Sequence, residues 1–161
     1  MSEGKGKRVV IVCTSIEKYP DGSPTGVFLS ELSHPYYAFV NAGYDVKLVS
    51  ISGSVQLDPS SLEGDFYDAQ SKKFVEEDKI EYKTAPALDT VSADDLDVLF
   101  FAGGFGVMWD FPDCKAAQDL ILALHEHNQV HEQKKVVGAV CHGPIVLKNV
   151  KLSDGSMLMA G

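Results

Sequence analysis

The chain has 161 residues, of which 45% are hydrophobic and 23% charged, a composition typical of one soluble globular domain. Its formal net charge of −9 argues against binding to nucleic acid or anionic membrane surfaces, because both require clustered lysine and arginine. A solvated acidic surface is the simplest interpretation of this charge.

Cysteine content indicates where the protein works. Cys13, Cys114 and Cys141 are too few for a disulfide scaffold, and no two of them form a Cys-x-x-Cys pair. Free thiols are typical of a reducing compartment. The apolar run at 9–13 is too short for a signal-peptide core or a membrane span. We therefore expect a cytoplasmic protein without membrane or nucleic-acid partners.

The first part of the chain predicts two strands with a helix between them. Residues 9–13, Val-Val-Ile-Val-Cys, are typical of a strand buried on both faces. Residues 27–42 carry apolar side chains at helical spacing, and Pro35 predicts that this helix is broken or kinked just before it. Gly43 is the expected stop signal. Residues 45–51 predict the second strand.

The remainder predicts further strands, each followed by a helix. Residues 52–90 are polar and poorly periodic, so we expect loops and short helical pieces there. Residues 97–102 predict a third strand, and a helix is expected to open at Pro112. Residues 136–140 predict a fourth strand, with helix from residue 143 onward.

The order of these elements predicts the fold class. Strands that alternate with helices form a parallel sheet covered by helices on both faces, and we expect one α/β domain over residues 1–161. In such folds the ligand lies beyond the carboxyl ends of the strands. Near the end of the chain, Asp154-Gly155 between short apolar groups predicts a hairpin over residues 152–159.

The sharpest motif is Ala-Val-Cys-His-Gly-Pro at residues 139–144. A cysteine between a strand and a helix has the layout of a nucleophile elbow. The helix N-terminus would lower the pKa of Cys141, and the N–H of His142 would be one oxyanion donor. The alternative is a buried core cysteine, which would not need a glycine two residues later.

A glycine cluster, Gly-Gly-Phe-Gly at residues 103–106, ends the third predicted strand. Such glycines permit close backbone approach and can aim amide groups at a substrate oxygen. The run is not a dinucleotide fingerprint, and no Walker lysine follows, so nucleotide binding is disfavoured. A simple turn is the alternative, but beside an elbow an oxyanion role for the Gly104 amide is favoured. Trp109 and Phe111 either wall a pocket or belong to the core.

Other polar residues give weaker signals. Glu31 lies in a core-facing helical segment, where a solvent-facing glutamate is the simpler interpretation. His127 and His131 have metal-ligand spacing but no third ligand nearby, so we expect a solvated helix end and no metal site. His142 could orient or deprotonate the thiol of Cys141, although adjacent side chains usually diverge.

Taken together, these motifs resemble the ThiJ/PfpI superfamily over essentially the whole chain. The runs that carry the resemblance are 139–144, 103–106 and 109–112 (Trp-Asp-Phe-Pro). Residues 25–28 (Thr-Gly-Val-Phe) leading to Glu31, followed by His-Pro at 34–35, narrow it to the branch of fungal heat-shock chaperones and glutathione-independent glyoxalases.

The resemblance implies a flavodoxin-like three-layer sandwich with a mostly parallel sheet, usually as a homodimer. It implies Cys141 as the nucleophile, His142 beside it, Glu31 hydrogen-bonded to the thiolate, and an oxyanion hole from the amides of Gly104 and His142. The implied reaction converts methylglyoxal, a small reactive aldehyde, to lactate. Cys141 would form a hemithioacetal, while His142 and Glu31 move protons, with no metal or organic cofactor.

The sequence departs from the family pattern in two ways. The third place of the glycine cluster usually holds histidine, whereas this chain has Phe105, which we expect to line the substrate pocket with Trp109. Relatives also continue well past the position of Gly161. We therefore expect the C-terminal part of the family fold, with further strands and the acid that pairs with His142, to be missing from this chain.

Two rival functions come from other classes. The first is a stress-induced holdase that binds unfolded clients, or a redox sensor in which Cys141 is oxidised. The second is a hydrolase akin to the superfamily's peptidases and amidotransferases. Replacement of Cys141 by serine should abolish both enzymatic activities and leave client binding largely intact.

Overall fold

The computed structural model describes residues 6–77 and 81–160. One all-parallel sheet has the strand order β2-β1-β3-β4. Strand β2 is added on one side of β1, and β3 and β4 are added on the other side. This reversal of strand order between β1 and β3 is that of the doubly wound flavodoxin-like arrangement. The predicted α/β fold is confirmed. Its strands are β1 (Arg8–Cys13), β2 (Asp45–Ser50), β3 (Val98–Phe101) and β4 (Val136–Ala139).

The helices connect these strands and cover the sheet. Shorter 3₁₀ turns lie between them, several in the polar stretch where short helical pieces were predicted. The α-helices are α1 (Leu29–Asn41), α2 (Ala69–Glu76), α3 (Val107–Asp110) and α4 (Lys115–Val130). The 3₁₀ turns are Pro59–Leu62, Gly64–Phe66, Leu88–Thr90, Ala93–Asp95 and Gly143–Leu147.

Helix α1 shows where packing overrides local preference. It runs unbroken through Pro35, so the predicted break is wrong. The proline removes one backbone donor, but Leu32 before it and Tyr37 after it are both buried in the cluster against the sheet and hold the helix on both sides of it. The helix stops as predicted, because Gly43 adopts a φ of 83° and its N–H bonds the carbonyl of Val40 at 3.0 Å.

Two other predicted elements differ in detail. The helix expected to open at Pro112 begins at Lys115, and α3 precedes it in a stretch too short to show periodicity. The hairpin over residues 152–159 is reduced to an isolated antiparallel bridge between Lys151 and Met157, closed by a turn in which Gly155 N–H donates to Leu152 O at 2.9 Å.

Apolar clusters fill both faces of the sheet. Residues 9–13 are at most 3% exposed, which confirms that β1 is buried on both faces. Val10 and Val12 point into the cluster beneath α4, whereas Val9 and Ile11 point into the cluster beneath α1 and α2. Within the described residues, no helix is long and apolar enough to span a bilayer.

Candidate active site

The two motifs predicted to carry chemistry meet at one edge of the sheet. Strands β3 and β4 pair in register, with Phe101 opposite Ala139, so the segments that follow them emerge side by side. A Cβ built on Gly103 would lie 2.9 Å from the Cβ of Cys141. The glycine cluster and the cysteine therefore touch, as the placement at the carboxyl ends of parallel strands predicts.

Cys141 occupies a strained turn. Its φ is 55°, a left-handed conformation rare outside glycine, and its side chain is exposed. The N–H of Gly143 donates to the carbonyl of Val140 at 2.8 Å and closes the turn. A Cβ on Gly143 would lie 2.7 Å from the carbonyl oxygen of Phe101, which explains the glycine two residues after the cysteine. This is the geometry of a nucleophile elbow.

Two backbone amides face the sulfur. The N–H groups of Gly104 and His142 both hydrogen-bond to Cys141 and favour its thiolate, which lowers the pKa of the thiol. Gly104 reaches this position with a φ of 112°, and a Cβ there would lie 2.6 Å from the carbonyl oxygen of Gly26. Only glycine fits at this point. Both amides predicted to donate to an oxyanion thus lie near the sulfur, and that role stays a prediction.

Glu31 faces the same thiol from the first turn of α1. Burial raises the pKa of its carboxyl group, while the hydrogen bond with Cys141 and the charge of His142 lower it. Its Oε2 atom is buried and has no partner of ordinary hydrogen-bond geometry within residues 6–77 and 81–160. A Cβ on Gly103 would overlap this oxygen, so the glycine makes room for the carboxylate.

The pKa of Cys141 is raised rather than lowered, which corrects the sequence prediction. Burial is the largest cause, followed by the hydrogen bond with Glu31 and its negative charge. The two amides oppose these effects without overcoming them. The predicted helix dipole is weak because the segment after Cys141 is only the short 3₁₀ turn Gly143–Leu147. The carboxyl of Glu31 and the thiol of Cys141 therefore each affect the pKa of the other.

His142 lies beside the thiol despite its adjacency in sequence. Its Nδ1 atom is 3.2 Å from the sulfur of Cys141, so the two side chains converge. The left-handed backbone of Cys141 makes this convergence possible, because it turns the chain between them. The ring of Phe105 also lies against the imidazole, with 4.7 Å between ring centroids and a tilt of 39° between the planes.

Trp109 and Phe111 separate into different roles. Phe111 is fully buried and packs edge-on against Phe101, so it belongs to the core. Trp109 is 48% exposed and contacts the ring of Tyr19 at 5.3 Å between centroids. The core alternative therefore holds for Phe111. Trp109 lies at the surface, and its role in a substrate pocket stays a prediction.

Sequence reasoning missed the anchor beneath the glycine cluster. Asp110 Oδ2 accepts hydrogen bonds from Thr14 Oγ1 at 2.8 Å and Ser15 N–H at 2.7 Å, which tie α3 to the end of β1. Burial raises the pKa of Asp110. The methyl group of Thr14 lies against Gly106, so the anchor also holds the turn that presents Gly104. The available signal was an acidic residue between aromatic side chains in the run at 109–112.

The remaining histidines lie outside this site. His127 and His131 stack at 4.1 Å, and His127 Nε2 is 3.0 Å from the carbonyl of Gln133, as suits a helix end. His34 pairs with Asp68 at 2.7 Å. In the described part of the chain, no group of three or more histidine, cysteine or acidic side chains could hold a metal ion.

Comparison with known proteins places this arrangement in a family. The model of the DJ-1/PfpI family matches residues 24–159. The chain is 35% identical to the glutathione-independent glyoxalase HSP31 of Saccharomyces cerevisiae over 146 residues. This aligned region covers 87% of this chain and 59% of that protein. It is 30% identical to glyoxalase 3 of Candida albicans over 149 residues, and this aligned region covers 89% of this chain and 61% of that protein.

Solved structures agree with the sequence matches. The Rapid Encystment Protein 24 kDa of Francisella tularensis superposes with a TM-score of 0.85 at 34% identity, over 94% of this chain and 66% of that one. Glyoxalase III of Candida albicans superposes with a TM-score of 0.81 at 29% identity, over 96% of this chain and 65% of that one. The chain thus spans about three fifths of the length of the two curated relatives above.

Proposed function

Because this chain belongs to the DJ-1/PfpI family, we propose that it acts as a glutathione-independent glyoxalase that converts methylglyoxal to lactate, with Cys141 as the nucleophile. The observation that carries the proposal is the set of groups around one sulfur. Two amides, the Nδ1 atom of His142 and the carboxyl of Glu31 all face Cys141. A nucleophile, a proton acceptor and oxyanion donors are the parts that aldehyde chemistry requires.

The first step joins the sulfur to the aldehyde carbon. The thiol proton passes to His142 Nδ1 as the S–C bond forms, and the aldehyde oxygen takes up the displaced electron pair. The amides of Gly104 and His142 stabilise that oxygen, which then receives the proton to give a hemithioacetal. Because the pKa of Cys141 is raised, this proton acceptor is needed at neutral pH.

The second step moves hydrogen between the two oxidised carbons. A base removes the proton from the former aldehyde carbon while the neighbouring carbonyl oxygen gains one, which gives an enediol. Return of a proton to the neighbouring carbon, with loss of the first hydroxyl proton, gives a lactate thioester. Water then displaces the sulfur, releasing lactate and restoring the thiol. Glu31 is suited to some of these proton transfers, because burial raises the pKa of its carboxyl group and so favours the protonated form, which can donate a proton.

The test is lactate formation from methylglyoxal without glutathione. Cys141→Ser is expected to lower turnover by at least about 1000-fold, because the residue that forms the covalent bond is lost. Cys114→Ser is the matched control, since this half-buried thiol lies at the start of α4 and should leave turnover unchanged. Turnover retained by Cys141→Ser, or absent from a folded wild-type chain, would overturn the proposal.

A second function has its own support in the exposed apolar side chains. Phe66, Phe105, Met108 and Trp109 are each 41–60% exposed, a pattern that suits binding of unfolded clients. A holdase of this kind would suppress heat-induced aggregation of a client protein equally well with Cys141→Ser. If suppression is lost with the thiol, binding through this surface is not the mechanism, and oxidation of Cys141 becomes the better explanation.

A further inference from the structure

Two contacts of the His142 side chain stand out within the described residues, one with Cys141 and one with Phe105. Its Nδ1 atom contacts the sulfur of Cys141, and no hydrogen bond to Nε2 is found within residues 6–77 and 81–160. Imidazole rings rotate over a broad range about their second torsion, so one long contact to sulfur does not fix the ring. The second contact is the ring of Phe105, which lies 4.7 Å away between centroids and is tilted by 39° to the imidazole.

We propose that Phe105 is a positioning residue, which holds the imidazole of His142 so that Nδ1 faces the sulfur of Cys141. This inference rests on the proposed function and assigns to Phe105 a task beyond lining a substrate pocket. It also gives a physical meaning to the departure from the family pattern. In this chain the apolar ring of Phe105 stands where the family pattern has the polar ring of a histidine.

The backbone that carries Phe105 is held on both sides. Gly104, before it, has a φ of 112° and is packed so closely against the segment at Gly26 that a Cβ could not fit. Gly106, after it, lies against the side chain of Thr14, which Asp110 anchors by a 2.8 Å hydrogen bond. A rigid turn therefore fixes the starting point of the Phe105 side chain, and its ring can act as a fixed wall.

An aromatic wall does more than fill space. Aromatic pairs at this separation attract beyond the area they bury, and a ring face also stabilises a cation placed over it. When His142 takes the thiol proton it becomes such a cation. Phe105 is therefore expected to favour the orientation in which Nδ1 of His142 receives the thiol proton. Its removal should slow the proton transfer more than it weakens substrate binding.

One test is independent of glyoxalase activity. In wild-type protein with isotope-labelled histidine, the ring of Phe105 should shift the His142 ring-proton resonances upfield. Phe105→Ala should abolish that shift and slow alkylation of Cys141 at neutral pH by roughly 2- to 12-fold, the range that aromatic pairs account for. Phe105→Tyr should restore both, and Phe66→Ala, which removes an exposed phenylalanine from a ring pair with Phe28, should change neither.

Kinetics separate positioning from pocket lining. If Phe105 positions His142, Phe105→Ala lowers kcat for methylglyoxal by roughly 2- to 12-fold with KM nearly unchanged. A raised KM with unchanged kcat would overturn the inference, as would wild-type His142 resonances and alkylation rates in Phe105→Ala. Circular dichroism checks that Phe105→Ala is folded, and Phe105→Leu, which keeps bulk without an aromatic face, should behave like it. If the wild type lacks turnover, the proposed function fails, while the resonances and alkylation still decide the role of Phe105.

Discussion

Cys13 and Cys141 lie in comparable places and have opposite properties. Cys13 is the last residue of β1 and is fully buried, whereas Cys141 follows β4 by one intervening residue and is exposed. Both strands belong to the same parallel sheet and end at the same edge. What differs is the backbone, because Cys141 has a φ of 55° and turns its side chain out of the sheet. The turn, rather than the strand end, makes a thiol accessible.

Besides their exposure and backbone, the two thiols differ in the groups that affect their pKa. Burial raises the pKa of Cys13 to about 12, with a further contribution from the charge of Asp110. Burial and the carboxyl of Glu31 likewise raise the pKa of Cys141. Amides that favour the thiolate act on Cys141, whereas nothing lowers the pKa of Cys13. A reactive site is thus marked by the groups that oppose burial.

The largest expected effect is the difference in reactivity. Native protein treated with iodoacetamide should be alkylated at Cys141 directly, whereas Cys13 reacts only in molecules that have opened. Because opening of core strands approaches the free energy of global unfolding, Cys13 should react at least about 1000-fold more slowly. Mass spectrometry of the two peptides over time measures this ratio. Comparable rates would show that β1 is not the rigid centre of the sheet.

The next effect concerns the space around Cys141. Gly103→Ala would place a Cβ against Glu31 Oε2 and 2.7 Å from the carbonyl oxygen of Val140. Displacement of the carboxyl or the thiol by such an atom is expected to reduce methylglyoxal turnover by about 100-fold, the loss typical of a 1 Å misplacement. Gly22→Ala is the control that should retain turnover, because a Cβ there meets no atom within 4 Å and its positive φ of 86° lies far from the site in sequence. Equal turnover in both variants would contradict the tight fit.

Stability should respond in the opposite direction to reactivity. Cys13→Ser would bury a hydroxyl group among apolar side chains, and the free energy of unfolding is expected to fall by about 1–3 kcal/mol. Cys141→Ser lies at the surface and should change it by less than about 0.5 kcal/mol. Urea denaturation of both variants compares them directly. A larger loss for Cys141→Ser would reverse the assignment of core and site.

The smallest effect is a shift in the titration of Cys141. Glu31→Gln keeps the shape of the side chain and removes the negative charge that raises the pKa of the thiol. The pH midpoint for alkylation of Cys141 should therefore move to lower pH. Asp89→Asn serves as a control, because its carboxyl acts on Cys114 and not on Cys141. An unchanged or higher midpoint in Glu31→Gln would show that the carboxyl of Glu31 does not raise the pKa of Cys141.

Local patterns in the sequence predict the sheet well. The continuous apolar run at 9–13 predicts a strand buried on both faces, and the structure confirms it. Helix α3 escapes prediction because four residues cannot show a period. The path of α1 through Pro35 escapes it because the contacts that hold the helix come from the sheet and not from its own sequence.

The candidate site follows the same division. The placement of Cys141 and Gly104 was predictable, because the carboxyl ends of neighbouring parallel strands meet at one edge. The approach of Glu31 depends on how α1 packs, and family resemblance alone pointed to it. The contact between Phe105 and His142 depends on side-chain rotamers across two loops, for which sequence spacing carries no signal.

The left-handed backbone at Cys141 lowers the stability of the fold at the residue that is proposed to carry the chemistry. For a residue with a Cβ this conformation costs about 1–2 kcal/mol relative to glycine, which adopts it freely. Laboratory evolution for thermal tolerance alone would therefore enrich Cys141→Gly and discard the thiol. Any engineering programme on this scaffold needs a selection for reactivity beside the one for heat resistance.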